Sequence, residues 1–285
     1  MKKIFVVGAG TMGAGIAQTF AQSKAMEVWL CDQKEEFVQS GLAKLKKGLD
    51  YLLNNEKITS EEYDAILRNV HTTTDYQDAA NADLVVEAIF ENMEAKRDVF
   101  TKLDKICSGK TIFASNTSSL PVTEIAAGLD HAGNFIGMHF FNPAPVMKLV
   151  EVVKCFFTSD ETQDRVMDIA REIGKDPVSV KEGPGFVVNR ILIPMINEAC
   201  EILREGIATA EDIDKAMCLG ANHSMGPLRT ADLVGNDINL YIMETLFEET
   251  ADPKYRPSIL LKQMVRANQL GRKTGKGFFE YPEKK

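Results

Sequence analysis

Apolar residues in the first 155 or so positions come in short runs, set apart by stretches of mixed character. Lys3–Val7, Met26–Cys31, Asp83–Ala88, Lys110–Ala114, Asn134–Phe141 and Met147–Val153 are such runs. Rich in Val, Ile and Phe, and too short for globular helices, they predict strands buried on both faces. The stretches between them carry the helical period: 12–23, a charged amphipathic pair within 35–68 separated at Asn54-Asn55-Glu56-Lys57, and 93–106. Strand and helix in alternation predict an α/β unit with a doubly wound, mostly parallel sheet covered by helices on both faces.

Beyond Ser179-Val180 the pattern changes. Gly183-Pro184-Gly185 punctuates the chain, and the apolar residues after it recur with helical spacing over 186–204, 209–218, about 232–249 and 256–267. Pro184 is expected in a first helical turn, where its missing N–H costs little, and Pro194 is expected to kink the helix that contains it. The shift in period places a boundary near residue 183. It predicts a first domain over 1–183, with the helical pair at about 35–68 inserted, and an all-helical C-terminal domain over 184–285. A length of 285 residues accommodates two domains.

Composition narrows the class of partner. Hydrophobic residues make up 45% of the chain and charged residues 26%, which excludes a disordered or fibrous chain. With 33 basic and 41 acidic side chains the formal net charge is −8, and such a surface repels phosphate backbones, so no nucleic-acid partner is expected. Cys31, Cys107, Cys155, Cys200 and Cys218 are odd in number and scattered, without metal-ligand or disulfide spacing. The apolar run after Lys3 is broken at once by Gly8 and Gly10, too early for a signal peptide, and no apolar stretch reaches membrane-spanning length. The expectation is a cytoplasmic protein with no metal and no membrane partner.

Gly8-Ala9-Gly10-Thr11-Met12-Gly13 directly follows the first strand run and opens a helix, and the second strand run ends at Asp32. In that context G-x-G-x-x-G is the dinucleotide-binding fingerprint of a Rossmann-type fold. Gly8 serves the tight turn, Gly10 the backbone's approach to a pyrophosphate and Gly13 close helix–strand packing. The pyrophosphate then lies on the positive end of a helix dipole. Asp32 is suited to the ribose hydroxyls of NAD and repels the 2′-phosphate of NADP; Lys34 nearby weakens that discrimination.

Of the four histidines, His71 lies at a strand edge, His131 in a surface turn and His223 in a loop between helices. His139 differs: it closes the run Phe135–Met138, at the strand end where ligands collect in α/β sheets. It is either a satisfied core residue or a proton acceptor. Glu151 sits in the apolar run Leu149–Val153, where an unpaired carboxylate is costly, and a short connection brings that strand back beside His139. A carboxylate on one imidazole nitrogen fixes the tautomer and steadies the imidazolium; the alternative is a surface Glu on an edge strand. Ser115–Ser119 follows another strand run and serves either a substrate oxygen or a helix cap near Pro121. Asn189, in the apolar run Phe186–Leu192, is either structural or functional.

These motifs, with Val85–Ala88, Ser115–Leu120, His139–Pro143, Lys148–Glu151, Pro184–Arg190, Met225–Pro227 and Gly271–Gly275, resemble the 3-hydroxyacyl-CoA dehydrogenases from end to end. The closest likeness is to the bacterial enzymes acting on 3-hydroxybutyryl-CoA. The resemblance implies NAD-linked, reversible oxidation of a short (S)-3-hydroxyacyl-CoA in butyrate or fatty acid metabolism. It implies His139 as the base, Glu151 as its orienting partner, and Ser118 and Asn189 on the reacting oxygen. Cofactor contacts are implied at Gly8, Gly10, Thr11, Met12, Gly13, Asp32, Glu91, Lys96, Ser118, Asn142 and Lys273. Asn142 and Lys57 join Ser118 and Asn189 on the acyl-CoA.

Where relatives are rich in lysines for the CoA phosphates, Tyr51–Lys57 keeps only Lys57; Lys44, Lys46 and Lys47 before it either compensate or, the more ordinary role, are solvated helix charges. A CoA-independent hydroxy-acid dehydrogenase on the same plan and a non-catalytic dinucleotide-binding protein are the alternative readings. A homodimer is expected from the family likeness and from apolar residues over Ile238–Phe247, counted as surplus to so small a domain.

Overall fold

The computed structural model describes residues 2–23 and 25–282. Eight strands form one sheet: β1 (Lys2–Val7), β2 (Met26–Cys31), β3 (Val70–Thr73), β4 (Leu84–Glu87), β5 (Ile112–Ser115), β6 (Phe135–Phe140), β7 (Leu149–Lys154) and β8 (Asp176–Lys181). Their order is β3-β2-β1-β4-β5-β6-β7-β8. All neighbours are parallel except β6 and β7, which run antiparallel, so the carboxyl ends of β1 to β6 share one edge of the sheet. The order reverses between β1 and β4, the position where a doubly wound sheet opens a crevice for ligands.

Helices cover this sheet: α1 (Thr11–Ala21), α2 (Glu35–Asn54), α3 (Ser60–Arg68), α4 (Met93–Ile106), α5 (Val122–Ala126) and α6 (Asp160–Glu172). Local chemistry sets their ends. Thr59 and Glu62 form a reciprocal capping box on α3, and Asn92 accepts from the Ala95 amide to start α4. The apolar faces of α1, α2 and α6 close over Ile4, Val6, Val28, Leu84 and Val152 in a continuous core.

Strand β3, helix α6 and strand β8 lie outside the apolar runs and helical stretches read above. Helix α6 is capped by Ser159 and buries only Thr162, Val166, Ile169 and Ala170 of its thirteen residues. Strand β8 is an exposed edge strand whose Pro177 interrupts the apolar run; a sheet edge tolerates the missing N–H.

The chain divides into two compact units, Met1–Gly183 and Pro184–Lys285. The second is helical: α7 (Val188–Arg204), α8 (Ala210–Gly220), α9 (Pro227–Val234), α10 (Asn236–Thr250) and α11 (Ile259–Arg266). Its core gathers Ile193, Ile196, Cys200, Leu228, Met243, Leu246 and Leu261. Three expectations are corrected here. Pro184 stands in a turn ahead of α7, not in its first helical turn. The stretch at 232–249 is split, because Gly235 at φ 109° ends α9 and lets α10 start in a new direction. Ile242, Met243 and Leu246 are consumed by the unit's own core and Leu240 packs against it, leaving Ile238 and Phe247 exposed.

Candidate active site

The glycine turn sits at the carboxyl end of β1, against the end of β4. Gly8 has φ +101°, and a Cβ there would lie 2.6 Å from the Ala88 carbonyl oxygen. A Cβ on Gly13 would lie 1.7 Å from the Gly8 carbonyl oxygen, so α1 can approach the turn only with glycine at that position. At Gly10 a Cβ would meet nothing within 4 Å; the backbone there faces open space at the start of α1. Asp32, the residue after β2, holds the turn by accepting from the Ala9 amide at 2.7 Å. An open glycine backbone at a helix N-terminus beside a carboxylate fits a dinucleotide: amides and dipole toward the pyrophosphate, carboxylate toward the ribose. Thr11 and Met12 form the first turn of that helix.

Beyond β4 and β5 in the sheet, His139 and Glu151 are register partners across the antiparallel β6–β7 pairing. His139 Nδ1 lies 2.8 Å from Glu151 Oε2, both side chains are buried, and the His139 ring tilts against Phe141. Asn116 accepts from the Phe140 amide and ties the loop after β5 to the end of β6. Of the other histidines, His71 stacks on Trp29 at the sheet edge with Nε2 3.2 Å from Glu27, and His131 pairs with Asp104. His223 lies in the α8–α9 loop.

Ser118 is held by Glu91. One oxygen of that carboxylate accepts from the Thr117 hydroxyl (2.6 Å), the Ser118 amide (2.9 Å) and the Ser119 amide and hydroxyl, while the other lies 3.2 Å from Lys96 Nζ. Burial pushes the Glu91 carboxyl up, but the Lys96 ammonium with the Thr117 and Ser118 donors outweighs it and holds the group below its ordinary range. Lys96 is fully buried and also donates to Glu87 at 2.7 Å. Capping by Ser115–Ser119 is not found at α5, whose start at Pro121 has no side-chain cap; Thr117 Oγ1 instead accepts from the Leu120 amide within the loop.

Asn142 lies just past β6 and lines a cleft of about 660 Å³ between α1, α2 and the loop at 142–146. Lys44 and Tyr51 of α2, with Lys57 from the turn after that helix, line one side of it, the Lys57 ammonium 5.7 Å from the centre of the Tyr51 ring. Lys46 and Lys47 are exposed and do not line it. Lys175, which the sequence reading did not single out, is buried and donates to the Ala144 and Met147 carbonyls, pinning the loop. Burial and then Lys148 lower its pKa. Lys175 belongs to no motif read in the sequence, and Glu87 lies in the Val85–Ala88 run with no role assigned to it; only their contacts single them out.

In the helical unit, Asn189 is the second residue of α7. Lys273 is paired with Asp237 at 2.5 and 2.7 Å, on a segment pinned by buried Asp232, which accepts from the Phe278 and Phe279 amides and the Tyr281 hydroxyl.

The chain matches two family models: residues 3–183 the 3-hydroxyacyl-CoA dehydrogenase NAD binding domain, and 185–281 the 3-hydroxyacyl-CoA dehydrogenase C-terminal domain. The chain belongs to the 3-hydroxyacyl-CoA dehydrogenase family. It is 51% identical to a 3-hydroxybutyryl-CoA dehydrogenase of Clostridioides difficile over 98% of this chain and 99% of the relative. Identity to a probable 3-hydroxybutyryl-CoA dehydrogenase of Bacillus subtilis is 49%, over 100% of this chain and 99% of that one. The solved structure of an (S)-3-hydroxybutyryl-CoA dehydrogenase from Ralstonia eutropha superposes with a TM-score of 0.96 at 46% identity, over 99% of this chain and 100% of that one. As a member of this family the chain is an NAD-dependent oxidoreductase. No helix among the described residues is long and apolar enough to cross a membrane.

Proposed function

We propose that the protein interconverts (S)-3-hydroxybutyryl-CoA and acetoacetyl-CoA, within butyrate or fatty acid metabolism. The observation that carries this reading is the His139–Glu151 pair, buried at 2.8 Å on the same sheet edge as the open glycine turn. NAD supplies, when bound, the acceptor for the hydride of the alcohol carbon. A secondary alcohol does not release hydride readily while its oxygen stays protonated, so the chain must provide a base in the same cleft.

His139 fills that role. With Nδ1–H donating to Glu151, the tautomer leaves a lone pair on Nε2, which takes the 3-hydroxyl proton or returns it in the reverse direction. Glu151 balances the imidazolium that results. Ser118 and Asn189 hold the reacting oxygen, and Glu91 keeps the Ser118 loop in place. Gly8, Gly10, Thr11, Met12, Gly13 and Asp32 hold the pyrophosphate and ribose; Glu91, Lys96, Ser118, Asn142 and Lys273 complete the cofactor contacts. Lys57 and Asn142 line the cleft assigned to the CoA moiety, and Lys44 on the same wall joins them.

In this reading residues 1–183 are the NAD-binding domain, and 184–285 contribute substrate contacts and the face of a homodimer. Exposed Leu233, Ile238, Tyr241 and Phe247 on α9 and α10 support such a face. Free thiols at all five cysteines support work in the reducing cytoplasm.

The test is NADH oxidation with acetoacetyl-CoA. Turnover by the unaltered protein and a loss of about 10²–10⁴ in kcat for His139→Ala are expected. Undiminished turnover in His139→Ala refutes the assigned base, and equal activity on free acetoacetate refutes the thioester assignment.

A further inference from the structure

Glu87, the last residue of β4, has no part in the reaction as described, yet it is fully buried at the point where the sheet order reverses. It is the register partner of Val7, the residue before the glycine turn. One of its oxygens accepts from the Ile89 amide and from Lys96 Nζ, each at 2.7 Å; the other accepts from the Ser115 hydroxyl at 2.7 Å. Every one of these contacts is a donor to the carboxylate, the pairing its acceptor-only oxygens call for. Lys96 in turn lies between Glu87 and Glu91. The cluster therefore holds two carboxylates against one ammonium, and its remaining partners, Ser115, Thr117, Ser118 and Ser119, are neutral.

Burying an ion pair with a second carboxylate attached is expensive, and a neutral polar group would hold the same loop at lower cost. What the extra carboxylate adds is a net charge of one negative unit, placed in a low-dielectric region at the dinucleotide crevice. The two forms of the cofactor differ in one respect relevant to that charge: the nicotinamide ring is cationic in NAD⁺ and neutral in NADH.

We propose that the Glu87–Lys96–Glu91 cluster sets the preference of this site between oxidised and reduced dinucleotide, its net negative charge favouring NAD⁺ over NADH. The inference rests on the reading that the crevice binds NAD. Glu87 is a positioning and charge-setting residue in this scheme; it acts through Lys96 and through the field of the cluster.

The experiment measures dissociation constants for both dinucleotides on the whole protein, NADH by its fluorescence and NAD⁺ by competition against it. Glu87→Gln keeps the shape and removes the net charge. The ratio Kd(NAD⁺)/Kd(NADH) is expected to rise on the order of tenfold, the effect of one unit charge acting through several ångströms of protein. Glu91→Gln, a less buried position, removes the same charge; it is expected to raise the ratio as well and provides the measurement should Glu87→Gln fail to fold. Ser115→Ala removes a hydrogen bond from Glu87 without changing charge and is expected to leave the ratio where it was, even if both constants move. An unchanged ratio in the two charge-removing variants overturns the proposal, as does an equal change in Ser115→Ala. Failure of the unaltered protein to bind either dinucleotide instead overturns the NAD reading itself.

Discussion

Glu151 Oε2 lies 2.8 Å from His139 Nδ1 because β7 turns back antiparallel to β6 and places the two residues directly opposite each other. Had β7 joined the sheet parallel, as the strands before it do, its first residues would lie at the opposite edge from the carboxyl end of β6. The reversal is what delivers a carboxylate to the imidazole at the ligand-binding edge.

Removing that carboxylate separates orientation from proton transfer. Glu151→Gln is expected to lower kcat by about 10²–10⁴, the range between general-base assistance and the loss of a carboxylate partner in a serine protease. The KM for NADH should change little. Steady-state kinetics with acetoacetyl-CoA checks this; a kcat within twofold of the unaltered protein would mean that Glu151 is only a core residue.

Gly13→Ala probes the dinucleotide turn sterically. Its Cβ would sit 1.7 Å from the Gly8 carbonyl oxygen, and backbone cannot rotate out of the way. Overpacking of this kind costs about 1–3 kcal/mol in stability. NADH affinity should fall at least about tenfold, measured by fluorescence titration, because the turn and the helix N-terminus move together.

Glu91 makes stability depend on acid pH. Its carboxyl is held below its ordinary value of 4.5 in the folded protein. A group with a depressed folded pKa contributes stability that is complete above the unfolded value and is lost as pH falls through the folded one. Urea midpoints taken from about pH 6 down to about pH 4 should therefore decline, with Glu91→Gln showing a shallower slope by up to about one proton. Identical slopes would place the acid sensitivity elsewhere.

Lys44 and Lys57 line the cleft beside α2 that is proposed for CoA. The double variant Lys44→Ala/Lys57→Ala should raise the KM for acetoacetyl-CoA about three- to tenfold and leave kcat unchanged, since exposed ion pairs are individually weak. Added salt should weaken substrate binding more in the unaltered protein than in the variant. An unaffected KM would move the phosphates away from this wall.

Self-association is expected to run through the exposed apolar residues of α9 and α10. Light scattering at micromolar concentration should give twice the chain mass, and Leu233→Asp with Ile238→Asp should give the mass of one chain. A monomer in the unaltered protein would rule out the dimer.

Period and punctuation along the chain carry much of the architecture. Predominantly apolar runs mark β1, β2 and β4 to β7, because a strand covered on both faces has no solvent-facing polar side to show. The glycine spacing and the Asp32 position carry the dinucleotide turn for a local reason: steric demands at Gly8 and Gly13 are set by residues a few positions away. Edge strand β8 lacks such a signature, since a strand at the sheet's rim is free to carry Pro177 and charged residues. The apolar residues of α10 likewise do not reveal whether they face a core or solvent until the packing of α7, α9 and α11 is known.

The sequence by itself determined the α/β class, the helical second half, the dinucleotide motif and the candidacy of His139. Tertiary structure decided that Glu151 meets it, that Glu91 grips the Ser118 loop, and that Glu87, Lys96 and Lys175 are buried with specific partners. The physical reason is range. Hydrogen-bond geometry between residues 12, 27 or 31 positions apart depends on strand order and direction, and no local period encodes either.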